Sequence, residues 1–372
     1  MIILVFVLLA TLFLAYANGA NDNFKGVATL WGSGTTSYKK SLYWATVTTF
    51  LGSLAALFIA TKLITTFSGK GLVPDAIVND PHFLISVGLG AALTVFIATI
   101  IGIPISTTHS LTGALIGAGL MAAGTQINFH TLENKFFLPL LLSPAIAAFF
   151  TLIIYPGFKL ARVKLGIEHQ MCLCIGERME PVAIQQDGTA VLKSTGLTLT
   201  IDQLQNCQPY YRGKILGFDS QALLDKFHYV SAGAVSFARG LNDTPKIVAL
   251  LLVMGAFSLK WGIFMVALAM AIGGLLNAKK IAITMSERIT KMNHGQGFSA
   301  NLVTALLVIF ASRWGLPVST THVSCGSLFG IGLVNKKANL SVIRQIILAW
   351  VLTLPLAAIL SGVCFLVISH IK

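Results

Sequence analysis

Long apolar stretches without charged side chains dominate the chain. Residues 41–61, 81–132, 136–158 and 345–371 contain no Asp, Glu, Lys or Arg. A helix needs about 20 apolar residues to cross the hydrocarbon core of a bilayer. These stretches are rich in Leu, Ala, Ile and Phe and lack the alternation of a membrane strand, and lipid offers an open backbone no hydrogen-bond partner. The pattern predicts an all-α integral membrane protein, folded as a polytopic helical bundle.

The composition agrees with a membrane location. Hydrophobic residues make up 55% of the 372 residues and charged residues 10%, whereas about 25% of a soluble protein is charged. The formal net charge is +13, but Lys and Arg are scattered in short loops, as at Lys39-Lys40 and Lys279-Lys280, which is typical of the positive-inside rule. We therefore expect the lipid bilayer as a partner, no nucleic acid, and a multi-pass protein of the cell (inner) membrane.

The first apolar stretch, residues 1–17, ends in Ala15-Tyr16-Ala17 and so resembles a signal peptide with its cleavage site. A signal peptide would carry basic residues before its apolar core, and this stretch has none. The motif that follows it also recurs within the chain. We interpret the segment as a first transmembrane helix.

Two motifs occur twice, in the same order and at nearly the same separation. Residues 19–25 (Gly-Ala-Asn-Asp-Asn-Phe-Lys) return as residues 240–246 (Gly-Leu-Asn-Asp-Thr-Pro-Lys). Residues 102–109 (Gly-Ile-Pro-Ile-Ser-Thr-Thr-His) return as residues 315–322 (Gly-Leu-Pro-Val-Ser-Thr-Thr-His). The sequence therefore predicts a duplicated unit, with residues 1–161 as the first transmembrane repeat and residues 230–372 as the second. Duplication of this kind is typical of secondary transporters, whose site lies between the repeats.

Residues 162–229, between the repeats, are far more polar. Asp187-Gly188 stands between two short apolar runs, which is a hairpin signal. We predict a small β-containing insert outside the membrane that links the repeats, with a regulatory role as the alternative. Its cysteines, Cys172, Cys174 and Cys207, lack zinc-type spacing, so we expect structural or inert thiols and no certain metal site.

Asp22 and Asp243 lie in apolar surroundings in the two copies of the first motif. A carboxylate at bilayer depth costs several kcal/mol unless it is paired or hydrated, so both are functional candidates. The structural alternative is an internal ion pair, because Lys25 and Lys246 each follow three residues later. The Gly and Asn residues of these motifs favour turns. They predict that the helix breaks in each copy and that Asn21 and Asn242 add polar ligands.

The second motif has the features of a helix start. The residue before proline avoids helical geometry, and serine is a good N-cap, so Ser106 and Ser319 are the expected N-caps. Helix N-termini and neighbouring hydroxyls bind anions, and two facing copies would hold a tetrahedral oxyanion. The candidate donors are Ser106, Thr107, Thr108, Ser319, Thr320 and Thr321.

The two carboxylates favour phosphate over sulfate as that oxyanion. Phosphate keeps at least one proton at neutral pH and can donate a hydrogen bond to a carboxylate, which sulfate cannot. Sulfate is nevertheless the alternative substrate that we keep open.

These paired motifs resemble the signature of the inorganic phosphate transporter (PiT) family, which has Gly-Ala-Asn-Asp in each half and Pro-x-Ser-x-Thr-His downstream. The resemblance covers nearly the whole chain. It implies an inverted-repeat fold with broken helices or re-entrant hairpins, a homodimer, and secondary active transport of phosphate with protons or sodium. No other cofactor is implied, and the protein is not expected to be an enzyme.

Carried over by position, the resemblance makes Asn21, Asp22, Asn242 and Asp243 candidates for phosphate and for a possible sodium ion. The common family pattern has Asn where this chain has Lys25 and Lys246. An ammonium group would occupy the space of a cation, so we expect proton coupling rather than sodium coupling.

Three further residues are charge-compensating or coupling candidates. Arg239 stands where the first half has Asn18, and it could pair with Asp243 or with the anion. His109 and His322 could relay protons, since histidine titrates near physiological pH. The alternative is that each imidazole braces its hairpin.

Two other classes of protein use similar residues. Ser106, His109 and Asp22 could form a hydrolase triad, but every candidate occurs twice, which a single nucleophile does not require. An anion channel would share the donors, yet channels usually line a pore with rings from several subunits. Both are less favoured than a carrier.

Overall fold

The structure is a computed structural model that describes residues 2–164, 168–170, 173–184, 190–201, 210–212, 214–215, 218–288, 292–336, 338 and 340–370. It contains two compact units, one formed by residues 1–158 with 226–372 and the other by residues 159–225.

In the described residues before the insert there are nine α-helices, interrupted by a 3₁₀ turn at Lys25–Val27 and a π-helical segment at Glu133–Phe137. These helices are α1 (Ile2–Asp22), α2 (Ala28–Gly32), α3 (Tyr38–Ile59), α4 (Lys62–Phe67), α5 (Asp75–Val78), α6 (Pro81–Ile101), α7 (Thr107–Ala123), α8 (Phe129–Leu132) and α9 (Leu138–Lys164).

Six α-helices follow the insert in the described part of the chain, with a π-helical segment at Thr284–Arg288. They are α10 (Ser220–Leu252), α11 (Leu259–Asn277), α12 (Lys279–Ile283), α13 (His294–Trp314), α14 (Thr320–Asn335) and α15 (Leu340–Ser369).

Seven helical stretches of the described chain are long and apolar enough to cross a membrane. The prediction of an all-α, multi-pass membrane protein is confirmed. The stretches are Ile2–Gly32, Tyr38–Ile59, Pro81–Ile101, Phe129–Ala161, Leu259–Asn277, His294–Trp314 and Ile343–Ser369.

Each second motif forms a helical hairpin. Helix α6 ends at Gly102, which has a left-handed φ of 85°, and α13 ends in the same way at Gly315, with φ of 76°. Glycine takes this conformation without a Cβ penalty and so stops the helix. Helices α7 and α14 then begin after Ser106 and Ser319, each of which accepts a hydrogen bond from the backbone N–H three residues on. The predicted N-caps are confirmed.

The predicted helix break in the first motif is wrong in the second half. Helix α10 is continuous through Gly240 and Asn242, whereas α1 includes Gly19 and Asn21 and ends at Asp22. The physical reason is close packing rather than a turn. A Cβ on Gly19 would lie 1.9 Å from the carbonyl oxygen of Met270, and one on Gly240 would lie 2.1 Å from that of Thr49.

The same kind of packing ties each half to the other. Helix α1 approaches α11 at Gly19, and α10 approaches α3 at Gly240. Further along, Gly113 and Gly117 of α7 pack on the backbone of α15, while Gly326 and Gly330 of α14 pack on α9. Small residues allow helix backbones to approach closely in membranes, where packing replaces the hydrophobic effect as a driving force. The helices of the two halves are therefore interleaved.

The described part of the insert contains six strands: β1 (Glu168–Gln170), β2 (Leu173–Ile184), β3 (Ala190–Ile201), β4 (Tyr210–Arg212), β5 (Lys214–Ile215) and β6 (Phe218–Asp219). They pair antiparallel as β1 with β4, β2 with β3, and β5 with β6. The predicted Asp187-Gly188 turn lies outside the described residues, as do Cys172 and Cys207.

Candidate functional site

Five charged side chains from the two first motifs meet in the interior of the helical unit. Their exposed fractions are 1% for Asp22, 5% for Lys25, 1% for Arg239, 2% for Asp243 and 1% for Lys246. We call these five side chains the charged cluster. The last three are four and three residues apart on α10, so they share one helical face.

The ion pairs that the spacing allowed are present in the cluster. Lys25 Nζ contacts Asp22 Oδ1, and Lys246 Nζ lies 3.3 Å from Asp243 Oδ1. Arg239 Nε adds a longer contact of 3.8 Å to Asp243 Oδ2. Removing one partner of a buried pair is far more costly than the pair itself is stabilising, so these groups depend on one another.

Each lysine ammonium donates to oxygen atoms of both halves. Lys25 Nζ also donates to the Ile105 carbonyl at 2.6 Å and to Thr321 Oγ1 at 2.8 Å. Each of these acceptors sits in a hairpin loop or at a hairpin helix start.

The second half repeats this arrangement. Lys246 Nζ donates to the Val318 carbonyl at 2.8 Å and to Thr108 Oγ1 at 2.7 Å. Val318 is the repeat counterpart of Ile105, and Thr108 that of Thr321. Each lysine therefore occupies a cradle of three oxygen atoms, from a carboxylate, a backbone carbonyl and a threonine. The two cradles have matching composition.

Asn18 links the two carboxylates. Its Nδ2 lies 3.1 Å from Asp22 Oδ2 and 3.2 Å from Asp243 Oδ2, and 2.9 Å from Thr107 Oγ1. Its Oδ1 accepts a hydrogen bond of 2.8 Å from Arg239. The two copies of the first motif thus meet in one hydrogen-bond network around the Asn18 amide.

Asn21 and Asn242 hydrogen-bond the backbone of the two hairpin loops. Asn21 donates to the Ile103 carbonyl at 3.2 Å and accepts from the Ile105 N–H at 3.2 Å. Asn242 donates to the Val318 carbonyl at 3.2 Å. Their side chains position the loops that carry the serine and threonine residues.

The hydroxyl candidates are all buried but differ in their partners. Ser106 and Ser319 cap their helices, and Thr107 donates to Asp22 Oδ2 at 3.1 Å. Thr108 and Thr321 reach across to the opposite hairpin, at 3.3 Å to the Val318 carbonyl and 3.1 Å to the Ile105 carbonyl. Thr320 is 5% exposed.

The two predicted histidines contact each other, with ring centroids 4.3 Å apart. His109 Nδ1 lies 3.1 Å from Ser106 Oγ, and His322 Nδ1 lies 3.3 Å from the Leu140 carbonyl. His109 therefore contacts the N-cap of its own hairpin helix, whereas His322 contacts helix α9.

Sequence reasoning missed Thr99 and Ser312 as well as the central role of Asn18. Thr99 Oγ1 accepts from Asn21 at 3.0 Å, and Ser312 donates to Asn242 Oδ1 at 3.1 Å. The two residues are repeat counterparts, three residues before the glycine of each second motif. Extending the repeat toward the N-terminus would have found them. The described residues contain no group of three or more His, Cys, Asp or Glu that could hold a metal ion.

Comparison with known proteins identifies the family of the chain. Residues 18–361 match the phosphate transporter family. The chain belongs to the phosphate transporter family. Among its relatives, a protein of Pyrococcus horikoshii named as a phosphate permease is 28% identical and covers 95% of each chain. A protein of Rhizobium meliloti named as a low-affinity inorganic phosphate transporter is 28% identical and covers 98% of this transporter and 96% of its own length.

A solved structure described as a sodium-dependent phosphate transporter superposes with a TM-score of 0.78 over the full length of both chains, at 22% identity. At that identity the likeness concerns the fold. The family is one of transporters, so the transporter is not an enzyme and the triad hypothesis is excluded. The family resemblance seen in the motifs is confirmed.

Proposed function

We propose that the transporter is a secondary active carrier of inorganic phosphate in the cell (inner) membrane, driven by a proton gradient. The observation that carries the proposal is the charge balance of the charged cluster. It holds three cations and two carboxylates, all at most 5% exposed. A buried surplus of positive charge is costly unless an anion enters to balance it.

Donors for such an anion lie beside the cluster. Arg239 Nε is buried and has no hydrogen-bond partner among the described residues. Helices α7 and α14 begin there, and the positive ends of two helix dipoles favour an anion. The proposed phosphate contacts remain Asn21, Asp22, Ser106, Thr107, Thr108, Asn242, Asp243, Ser319, Thr320 and Thr321. Asn21 and Asn242 also hydrogen-bond the hairpin loops that carry the hydroxyl donors.

The lysine cradles support proton coupling over sodium coupling. A carboxylate, a carbonyl and a hydroxyl oxygen are the hard ligands that an alkali cation would use, and here each set surrounds an ammonium group. A sodium ion near Asn21, Asp22, Asn242 or Asp243 would have to displace that ammonium and leave it buried without its partners. The proposed coupling cation is therefore the proton, which needs no such set of oxygen ligands.

The number of long helices in each half supports an inverted arrangement of the two halves. Each half contributes five long helices: α1, α3, α6, α7 and α9, then α10, α11, α13, α14 and α15. If both helices of the hairpin cross the membrane, a half crosses five times, and if the hairpin re-enters, it crosses three times. Both numbers are odd, so the second half would begin on the opposite side of the membrane. Inverted repeats with a site between them operate by alternating access, and we propose this mechanism, with a homodimer as the assembly.

Uptake of labelled phosphate into proteoliposomes tests the substrate and the driving gradient. We expect an imposed inward proton gradient to drive uptake, equimolar sulfate to compete poorly, and Asp22→Asn and Asp243→Asn to abolish uptake. Sulfate uptake in place of phosphate would favour the alternative substrate. Phosphate flux without any gradient dependence and without saturation would favour a channel.

Replacement of sodium by choline at constant pH tests the coupling ion. We expect unchanged uptake by the natural transporter. In the double variant Lys25→Asn/Lys246→Asn the ammonium groups are gone, and we expect the remaining uptake to require sodium. Loss of phosphate uptake by the unsubstituted transporter when choline replaces sodium would contradict proton coupling.

A further inference from the structure

Two short helices outside the paired motifs contact the two hairpins. Helix α4 follows α3 and helix α12 follows α11, and the chain reads Ala60-Thr61-Lys62 at the first place and Ala278-Lys279-Lys280 at the second. A threonine stands four residues after each lysine, Thr66 in the first half and Thr284 in the second. This lysine–threonine pair is thus a third element that occurs once in each half, and the charged cluster does not include it.

The pair of the second half holds the hairpin of the first half, α6–α7. Lys280 Nζ donates to the Ile100 carbonyl at 2.7 Å, and Thr284 Oγ1 donates to the Gly102 carbonyl at 2.9 Å. Ile100 lies in the last turn of α6, where the carbonyls have no partner within the helix and form the negative end of the helix dipole. A lysine at this position stabilises the end of a helix. Here the lysine comes from the opposite half of the chain.

The pair of the first half contacts the second hairpin, α13–α14, in a similar but looser way. Thr66 Oγ1 lies 3.4 Å from the Gly315 carbonyl, and a Cβ on Gly315 would lie 2.8 Å from Lys62 Cβ. Within the described part of the chain, however, the Lys62 ammonium has no hydrogen-bond acceptor, although Lys62 is the repeat counterpart of Lys280. Two hydrogen bonds therefore hold the first hairpin, and one long contact holds the second.

A polar pocket of about 260 Å³ lies beside the loosely held hairpin. Its lining includes Thr66, residues 315–317 of the hairpin loop, and the cationic side chains of Lys70 and Lys135. No Asp or Glu is among the described residues that line it. The residue after this part of the loop is Val318, whose carbonyl accepts from Lys246 of the charged cluster. One step along the loop therefore connects the pocket to the charged cluster.

We propose that the two lysine–threonine pairs are positioning residues that hold the hairpins alternately, each pair acting on the hairpin of the opposite half. In the conformation described, Lys280 and Thr284 are engaged, whereas Lys62 is released. The pocket is then the space through which an oxyanion approaches the released hairpin, because a cleft lined by charges of one sign concentrates ions of the other. In the alternative conformation Lys62 would cap α13, as Lys280 caps α6 here, and Lys280 would leave its acceptor.

The unequal bonding of equivalent parts supports this alternation. Both hairpins offer the same acceptor geometry, since α6 and α13 each end at a glycine with a left-handed φ, Gly102 and Gly315. The difference lies in the bonds that the two lysines make, and not in the residues available. Repeats that exchange conformations give unequal contacts of this kind in any one state. The link to alternating access rests on the proposed function, whereas the alternation of the two pairs can be measured without it.

Hydrogen–deuterium exchange of the purified full-length transporter, read by mass spectrometry, tests the alternation. Lys280→Gln/Thr284→Val removes both bonds to the first hairpin. We expect backbone exchange at residues 102–106 to rise at least about tenfold, since each lost bond shifts the equilibrium about tenfold. Exchange at residues 315–319 should fall at least about twofold, because the population moves to the conformation that holds the second hairpin. The mirror variant, Lys62→Gln/Thr66→Val, should lower exchange at residues 102–106.

Two matched controls separate these bonds from general effects of substitution. Lys279→Gln changes the preceding residue, which is also exposed and has no acceptor in α6 among the described residues. Thr284→Ser keeps the hydroxyl donor. We expect exchange at both hairpins to be unchanged in each control. A rise at both hairpins in Lys280→Gln/Thr284→Val would show that the pair only braces the fold, and an unchanged first hairpin would show that its bonds do not hold it; either result would overturn the proposal.

Phosphate uptake into proteoliposomes tests the consequence for transport. We expect the maximal rate of uptake to fall at least about tenfold in Lys280→Gln/Thr284→Val, because the first hairpin is no longer held in its turn. Lys279→Gln should transport normally. A normal rate in the double variant would also overturn the proposal. If the unsubstituted transporter carries no phosphate, the proposed function fails, and the exchange measurement still decides whether the two pairs alternate.

Discussion

The two copies of the first motif have nearly the same residues but different surroundings. In the first half, α1 ends at Asp22, and this carboxylate is paired with one cation, Lys25. In the second half, α10 continues through Asp243, which has two cations beside it, Lys246 and Arg239. The lysine cradles match, whereas the third cation belongs to one side. The two copies of the motif therefore provide matching lysine sites. One difference between them, Arg239 in the second copy where the first has Asn18, gives the charged cluster a net positive charge.

Loss of either carboxylate should have the largest effect and should be unequal between the halves. Asp243→Asn removes the carboxylate beside two buried cations, whereas Asp22→Asn removes the carboxylate paired with one. Breaking a buried pair costs about 3–5 kcal/mol, so we expect uptake to fall at least about 100-fold in both variants. Thermal unfolding should show the greater loss of stability for Asp243→Asn.

Asp75→Asn is the control for these variants, because Asp75 is an exposed residue of a short helix. Equal loss of stability in the two motif variants would mean that Arg239 does not share in the pairing of Asp243.

Methyl groups added at the paired glycines should destabilise both halves alike. Gly19→Ala and Gly240→Ala each place a Cβ about 2 Å from a carbonyl oxygen of the other half. Overpacking costs about 1–3 kcal/mol and occasionally more, so a clear fall in the midpoint of thermal unfolding is expected in each.

Gly157→Ala provides the comparison, since a Cβ there meets no atom within 4 Å. It should be neutral or slightly stabilising. Unchanged stability in Gly240→Ala would show that the α3–α10 contact is looser than described.

Arg239→Asn removes the difference between the halves and should weaken substrate binding. The variant has the residue of the first half and no surplus positive charge in the cluster. We expect KM for phosphate to rise about tenfold, as for the loss of a hydrogen bond to a charged group. Arg239→Lys keeps the charge and should lie between the two; a KM unchanged in Arg239→Asn would contradict a role for the surplus charge.

Removal of the N-caps should have the smallest effect. Ser106→Ala and Ser319→Ala each lose the hydrogen bond to the first turn of a hairpin helix, which costs about 1 kcal/mol. Ser106 Oγ also lies 3.1 Å from His109 Nδ1, whereas His322 Nδ1 contacts a carbonyl. Thermal unfolding should therefore show a greater loss for Ser106→Ala, and the reverse order would count against the bracing role of His109.

The amino-acid sequence by itself determined the membrane class, the duplication, the ion-paired motifs and the helix starts at Ser106 and Ser319. Each of these follows from local chemistry. Apolar length selects a membrane helix, a spacing of three residues brings Asp and Lys together, and serine after proline caps a helix. Such rules need no knowledge of the rest of the chain.

Tertiary structure alone decided how the halves meet. Gly19 and Gly240 look like helix breakers in the sequence, but they permit close contact with carbonyl oxygens of the other half. Likewise, Lys25 donates a hydrogen bond to Thr321, and Lys246 donates one to Thr108; the partners are more than a hundred residues apart in the chain. Local patterns carry no information about which distant backbone approaches a glycine or an ammonium group, because that depends on the packing of helices that are remote in sequence.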